Sequence, residues 1–239
     1  GPFGTGSNLR ITNMTNPAYI RWLVAQKRQW HHPPDSEKQA HGFRGWHTRG
    51  FLPHFDVPGV TQMISYRLAD SLPQERKREW EEFMRIKDAR QQRIRIEDYC
   101  DEGYGACELA VPEVAAKMEN TLLNDDGSRC GLLAWVVMPN HVHVLVQIRD
   151  TPTSKLMQSW KTITAKFVNH HFGRTGKWWQ DDYHDRYIRD EAHFQKAVRY
   201  IENNPVKAGL VREAKGWPWG SAKWRVDGYG LQPVVRPSA

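Results

Sequence analysis

The chain has 239 residues, a formal net charge of +7, a pI near 9.4 and a mean hydropathy of −0.72. That length can bury a sizeable core, and no stretch approaches the roughly 20 apolar residues of a membrane helix, so one soluble catalytic domain with appendages is expected. Cys100, Cys107 and Cys130 are odd in number and irregularly spaced, which excludes a disulfide framework and a zinc ribbon; with no signal peptide in view, a reducing cytoplasm is expected.

The first eight residues, Gly-rich and uncharged, read as an expression remnant. From Asn8 to about His47 the chain is rich in Arg, His, Trp and Pro without a sustained period, which suggests an arm or an irregular subdomain. The run from Gly45 to Phe55, with Trp46, Arg49 and His54, is suited either to stacking and phosphate contacts or to wrapping the core. Thr61 to Leu68 alternates, with Ile64, Tyr66 and Leu68 on one face, and predicts the first strand. Pro73 to about Glu97 is dense in both charge signs with a thin stripe at Trp80, Phe83 and Met84, and predicts a mostly exposed inserted helix.

Pro112 opens a better packed helix with Val114, Met118 and Leu122 inward and Gly127 as its stop. Two apolar runs, Leu132 to Met138 and His141 to Gln147, flank Pro139-Asn140 and predict adjacent strands. Ser154 to Phe172 predicts a helix with Leu156, Met157, Trp160, Ile163, Phe167 and Val168 inward and Gly173 as the stop. Trp178 to Arg189 reads as extended, and Glu191 to Asn204 as a helix with Phe194, Ala197, Val198 and Ile201 buried, ended by Pro205. This order predicts an α+β fold: a ferredoxin-like or RRM-like antiparallel sheet with helices on one face and the other face open for a ligand.

The basic charge favours a polyanionic partner, and eleven tryptophans, many beside Lys or Arg, point to single-stranded nucleic acid, since cations hold phosphates while rings stack on unpaired bases. Lys161, Lys166, Arg186 and Arg189 are candidate phosphate contacts, each also readable as a solvated charge. Strand alternation from His141 to Gln147 sets Val142, Val144 and Val146 against the helices and His141 and His143 together on the open face. Two imidazoles at i and i+2 can share one metal ion, or can be a plain surface pair. Tyr200 and Asn204 lie one turn apart on one side of the last helix, where Tyr200 can pack its ring and point its hydroxyl outward; read blandly, they are a core-edge tyrosine and a helix-ending asparagine.

Taken together, these residues resemble a known family. Met138-Pro139-Asn140-His141-Val142-His143-Val144-Leu145-Val146, the run from Trp179 to Arg189, and Tyr200-Ile201-Glu202-Asn203-Asn204-Pro205 continuing to Val211 resemble the IS200-like tyrosine transposases of the HUH nuclease group, most closely their REP-associated branch. Gly50 to Phe55 is similar to a further family segment, and the likeness runs from about Trp46 to Trp219. The resemblance implies that His141 and His143 are the paired metal-binding histidines on a central strand, Tyr200 the nucleophile, and Asn204 the third metal-ligand position, commonly Gln in other members. It implies Mg²⁺ or Mn²⁺ as cofactor and cleavage of single-stranded DNA beside imperfect hairpins through a 5′-phosphotyrosine. A bacterial cytoplasmic, nucleoid-associated location follows from the same likeness.

On these readings the chain divides into the remnant at about 1–8, an arm at about 9–45, a catalytic domain at about 46–215 with a charged insertion at about 74–98, and a tail from about 216 to 239. Monomer and homodimer both stay open. Two other functions compete with the transposase: a replication-initiator or relaxase-like nickase, and a domesticated, non-catalytic nucleic-acid-binding module. Neither a third ligand histidine nor a Walker motif is evident for the nickase, and binding alone does not require His141, His143 and Tyr200 together.

Overall fold

The computed structural model describes residues 33–49, 52–71, 77–86, 88, 91–92, 94–95, 98–99 and 102–225. The remnant, most of the arm, Cys100, and the tail beyond residue 225 lie outside the described residues. After a short helix, α1 (Ser36–Ala40), comes a hairpin of β1 (Gly45–Arg49) and β2 (Leu52–Asp56). Phe43 and Phe55 bury into the main core, so this segment does wrap it.

The main sheet has four strands: β3 (Thr61–Arg67), β4 (Cys130–Val137), β5 (His141–Ile148) and β6 (His184–Tyr187), in the spatial order β4-β5-β3-β6 with every pairing antiparallel. The helices are α2 (Lys77–Arg85), α3 (Pro112–Asp125), α4 (Thr153–His171) and α5 (Glu191–Lys207). From β3 onward, α2 apart, the succession is strand, helix, strand, strand, helix, strand, helix, and the strand order is ferredoxin-like, as the sequence predicts.

Alternation assigns the two faces of the sheet. Ile64, Tyr66, Val142, Val144 and Val146 pack with Val114, Met118 and Leu122 of α3 and Leu156, Met157 and Trp160 of α4. The opposite face, through Val136, Met138 and Leu145, packs against Phe194, Ala197, Val198 and Ile201 of α5. Helices therefore cover both faces, which corrects the expectation of one open face. An apolar stripe shows that a helix packs, but not on which side of the sheet.

Local chemistry explains the helix boundaries and some departures from the predicted stripes. Pro112 occupies the first turn of α3, and Gly127, at a φ of 77°, lets the chain reverse into β4. In α4 the buried row is Trp160, Thr164 and Val168, while Ile163 is exposed. Thr164 is held inward because its hydroxyl donates to Trp160 O at 2.7 Å and accepts from Trp179 Nε1 at 2.9 Å. In the charged insertion the described residues give a helix at Lys77–Arg85 and further helical residues at 91–92, 94–95 and 98–99, and the rest of the expected helix lies outside the described residues.

Asp190 caps α5 by accepting from His193 N at 2.7 Å, and the helix runs on through Pro205 to Lys207. Asn204 is thus an interior, buried residue rather than the helix end. Beyond it, residues 217–225 run beside the β4 edge: Val137 N donates to Trp219 O at 2.8 Å, and Trp217 Nε1 donates to Val137 O at 3.0 Å. The tail is therefore part of the packed fold as far as Arg225.

Candidate active site

Pro139-Asn140 turns the chain from β4 into β5, and His141 opens β5 with its carbonyl accepting from Met138 N at 2.9 Å. Across the sheet His141 lies opposite Arg67 and His143 opposite Ser65. The imidazoles stand edge to face, with ring centroids 4.7 Å apart. Because α5 covers this face they are buried, 2% and 3% exposed, rather than open to solvent as the sequence suggested.

Each ring is held by its Nδ1. Asn140 Oδ1 lies 2.7 Å from His141 Nδ1, and Ser65 Oγ lies 2.6 Å from His143 Nδ1. Asn140 is itself fixed by donating Nδ2 to Tyr104 O at 3.1 Å. An acceptor at His141 Nδ1 places the proton there and makes Nε2 the lone-pair nitrogen. Sequence reasoning missed both holding residues. The position of Asn140 next to His141 was a usable signal; Ser65 is paired only through the strand register.

Tyr200, on α5, sets its ring 5.4 Å from that of His143 at a steep interplanar angle of 72°. Its ring packs at the edge of the α5 core, while its hydroxyl is buried and not directed outward as expected. One turn on, the buried Asn204 carboxamide lies close enough to His141 to influence its protonation, though not in hydrogen-bonding geometry. One chain thus brings His141, His143, Tyr200 and Asn204 together.

Burial is the main force on both imidazoles. It pushes His141 down to about 3, helped by the charge of Arg67, and holds His143 well below the usual histidine range, helped by His141 and His184. Both are neutral at pH 7, the form that ligates a metal. Nε2 of His143 and both carboxamide atoms of Asn204 are buried without a hydrogen-bond partner. Leaving such atoms unsatisfied costs about 1–3 kcal/mol each. A cation would satisfy the imidazole nitrogen and the carboxamide oxygen, so the residues present fit a divalent ion. Among the described residues no group of three or more His, Cys, Asp and Glu could hold one.

The expected DNA contacts divide. Trp46 is 56% exposed on β1, its ring 4.7 Å from Phe55 and 5.8 Å from Tyr187, and is available for stacking. Arg49 ends β1, but its side chain is outside the described residues. Lys166 is exposed on α4, Arg186 is half-buried on β6, and Arg189 is exposed before α5.

His54 and Lys161 are corrections. His54 is 1% exposed and lies between Asp185, on Nδ1, and Asp182, 3.1 Å from Nε2; a group enclosed by two carboxylates cannot serve a phosphate. Lys161 Nζ donates to the carbonyls of Gln180, Asp181 and Asp182 at 2.9, 3.1 and 3.0 Å, so its ammonium braces the loop before β6.

Residues 114–204, which span both histidines, Tyr200 and Asn204, match the family described as transposase IS200 like. Over these residues the chain is similar to the IS200-like transposases. Among the relatives of the chain, a REP-associated tyrosine transposase of Escherichia coli is 31% identical over 101 residues, covering 42% of this chain and 59% of that protein. A provisionally named REP-associated tyrosine transposase of Haemophilus influenzae is 28% identical over 100 residues, covering 37% and 57%. The chain thus matches less than two thirds of the length of these relatives. A solved REP-associated tyrosine transposase bound to a REP hairpin aligns with a TM-score of 0.46 and 19% identity, over 73% of this chain and 81% of that one.

Proposed function

We propose that this chain is a metal-dependent single-strand DNA endonuclease and strand transferase, a transposase that cuts beside DNA hairpins with Tyr200 as nucleophile. The observation that carries the reading is the placement of the Tyr200 ring 5.4 Å from His143, in a buried pocket with His141 and Asn204. A core-edge tyrosine needs no such neighbours, and the unsatisfied Nε2 of buried His143 is costly unless the site has work to do.

His141, His143 and Asn204 would hold Mg²⁺ or Mn²⁺. Such an ion supplies Lewis-acid polarisation of the scissile phosphate. Asn140 and Ser65 orient the two rings, and burial keeps them unprotonated. Tyr200 must turn its hydroxyl toward the incoming strand, because a phenol of pKa about 10 attacks only when positioned and activated. Its oxygen forms the bond to phosphorus as the bond to the 3′-oxygen breaks; the phenolic proton is lost and the 3′-oxygen takes one up. DNA is then joined to Tyr200 through its 5′-phosphate, and another 3′-hydroxyl can reverse the step and join strands without ATP.

The likeness to REP-associated tyrosine transposases suggests hairpin recognition, and exposed Trp46 offers a stacking surface for an unpaired base. Incubation with hairpin-bearing single strands from the flanks of the gene, with Mg²⁺ or Mn²⁺, should give a protein-DNA adduct on denaturing gels. Failure with every flanking hairpin would count against the reaction class.

A further inference from the structure

We propose that Arg67 is a phosphate-binding residue of this site, its guanidinium holding the non-bridging oxygens of the scissile phosphate on the His141 side with Gln180 fixing the orientation of the fork. The inference rests on the strand-cleavage reading above and names a residue that reading does not use.

Strand register puts Arg67 there. Arg67 lies directly opposite His141, and Ser65 directly opposite His143, in the β3–β5 pairing. Side chains opposite one another across an antiparallel pair share a face, and the Ser65 Oγ to His143 Nδ1 distance of 2.6 Å shows which face that is. Arg67, two residues from Ser65, therefore emerges on the same side, next to His141. Its Nε donates to Gln180 Oε1 at 2.7 Å, and its carbonyl accepts from Gln180 N at 3.0 Å. The guanidinium is thus oriented by a neutral carboxamide from the loop that leads to β6.

Electrostatics supply the second argument. Arg67 and Lys207 act as positive charges on His141, and Lys207 acts on His143 as well. A guanidinium beside a site for a divalent cation repels that cation, so metal holding alone does not account for it. An anion between the two resolves the conflict, and a guanidinium matches the oxygens of a phosphate in a planar fork that Lys cannot reproduce.

The test uses the full chain with Arg67→Gln and Arg67→Lys, after mapping the cleaved linkage with wild type. Without DNA, Arg67→Gln should bind Mn²⁺ about threefold to tenfold more tightly, since a repelling charge is gone, while Arg67→Lys should stay near wild type. With chelator present, Arg67→Gln should bind the cleavable strand more weakly, with a salt slope lower by about one. A methylphosphonate at the scissile linkage, which removes its charge, should weaken wild-type binding by about tenfold and weaken Arg67→Gln no further. A full methylphosphonate penalty in Arg67→Gln, with unchanged Mn²⁺ affinity, overturns the role of Arg67 while leaving the cleavage reading intact. A wild type that neither binds Mn²⁺ nor cleaves any flanking strand overturns both.

Discussion

Ser65 and His143 face each other across β3 and β5, hydroxyl to Nδ1 at 2.6 Å, and this contact holds the orientation of the buried His143 ring. Groups that orient a metal-binding imidazole commonly matter about 10- to 100-fold in affinity. Ser65→Ala should therefore weaken Mn²⁺ binding by about that factor, at a stability cost near 1 kcal/mol for one lost hydrogen bond. Metal titration and thermal melts read the two effects separately. Unchanged Mn²⁺ affinity would reduce Ser65 to a packing residue.

His143→Ala should abolish cleavage and also remove the stabilisation that metal gives. The metal-free variant loses the Ser65 hydrogen bond to Nδ1, about 1 kcal/mol, while Nε2 gives up none. Saturating Mn²⁺ at about 100 times Kd should stabilise wild type by about 2.7 kcal/mol and leave the variant nearly unmoved. Melting curves with and without Mn²⁺ decide the point. Equal metal-induced shifts in both proteins would remove His143 from the ligand set.

The His54 clasp gives the fold a pH signature. Burial alone would lower its pKa, but the hydrogen bonds and charges of Asp182 and Asp185 outweigh it and raise it to about 9. A raised histidine stabilises fully below its ordinary 6.5 and loses that contribution as pH climbs through about 9. Asp182 is lowered against the cost of its own burial, through the hydrogen bond from His54, so its contribution is lost as pH falls below the ordinary carboxylate range. Denaturant melts from pH 6 to 10 should show wild type losing roughly 3 kcal/mol that His54→Gln does not lose. Parallel profiles for the two proteins would show that His54 titrates alike folded and unfolded.

The tail makes a buried ion pair with α5. Arg225 Nε lies 2.7 Å from Glu202 Oε1, its guanidinium also donates to Leu133 O at 3.0 Å, and Ser221 Oγ donates to the same Glu202 oxygen at 2.6 Å. Glu202 sits between Tyr200 and Asn204 on α5. Glu202→Ala removes the carboxylate that faces a buried cation, so a loss of about 3 kcal/mol is expected, whereas Glu202→Ala combined with Arg225→Met should recover most of it. Equilibrium unfolding of both variants checks this.

Much of the site was legible before any coordinates. Alternation along β5 separated the valines from His141 and His143, and helical spacing paired Tyr200 with Asn204. What escaped was set by partners distant in sequence. His54 looks like a phosphate contact until β6 and the loop before it bring Asp185 and Asp182 to its ring. Lys161 looks solvated until the same loop folds its carbonyls around it. The α5 stripe showed that Phe194 and Ile201 are buried, yet it could not say that they cover the histidine face, which is why the pocket is closed rather than open. Pro205 suggested a helix end, but it only removes one amide donor, and burial of Asn204 and Pro205 carries α5 one turn further.

Tyr200→Phe separates covalent chemistry from every binding-only reading. The ring packs at the edge of the α5 core, so removing the hydroxyl should change stability by under about 1 kcal/mol and leave DNA affinity within about twofold. Wild type with metal and a cleavable hairpin strand should give an adduct that survives denaturing electrophoresis and maps to Tyr200, and the Phe variant should give none. The rival tyrosines are poorly placed. Tyr183 is buried, its ring 4.7 Å from His54 and beneath the Lys161 ammonium at 5.7 Å. Tyr187 packs 5.5 Å from Phe55 and 5.8 Å from Trp46, at the β1–β2 hairpin. Tyr200, by contrast, packs directly against His143. An adduct that persists in Tyr200→Phe and vanishes in Tyr187→Phe would move the nucleophile to the hairpin side of the sheet while sparing the reaction class, because the phosphotyrosine chemistry needs a phenol beside the phosphate and not this particular helix.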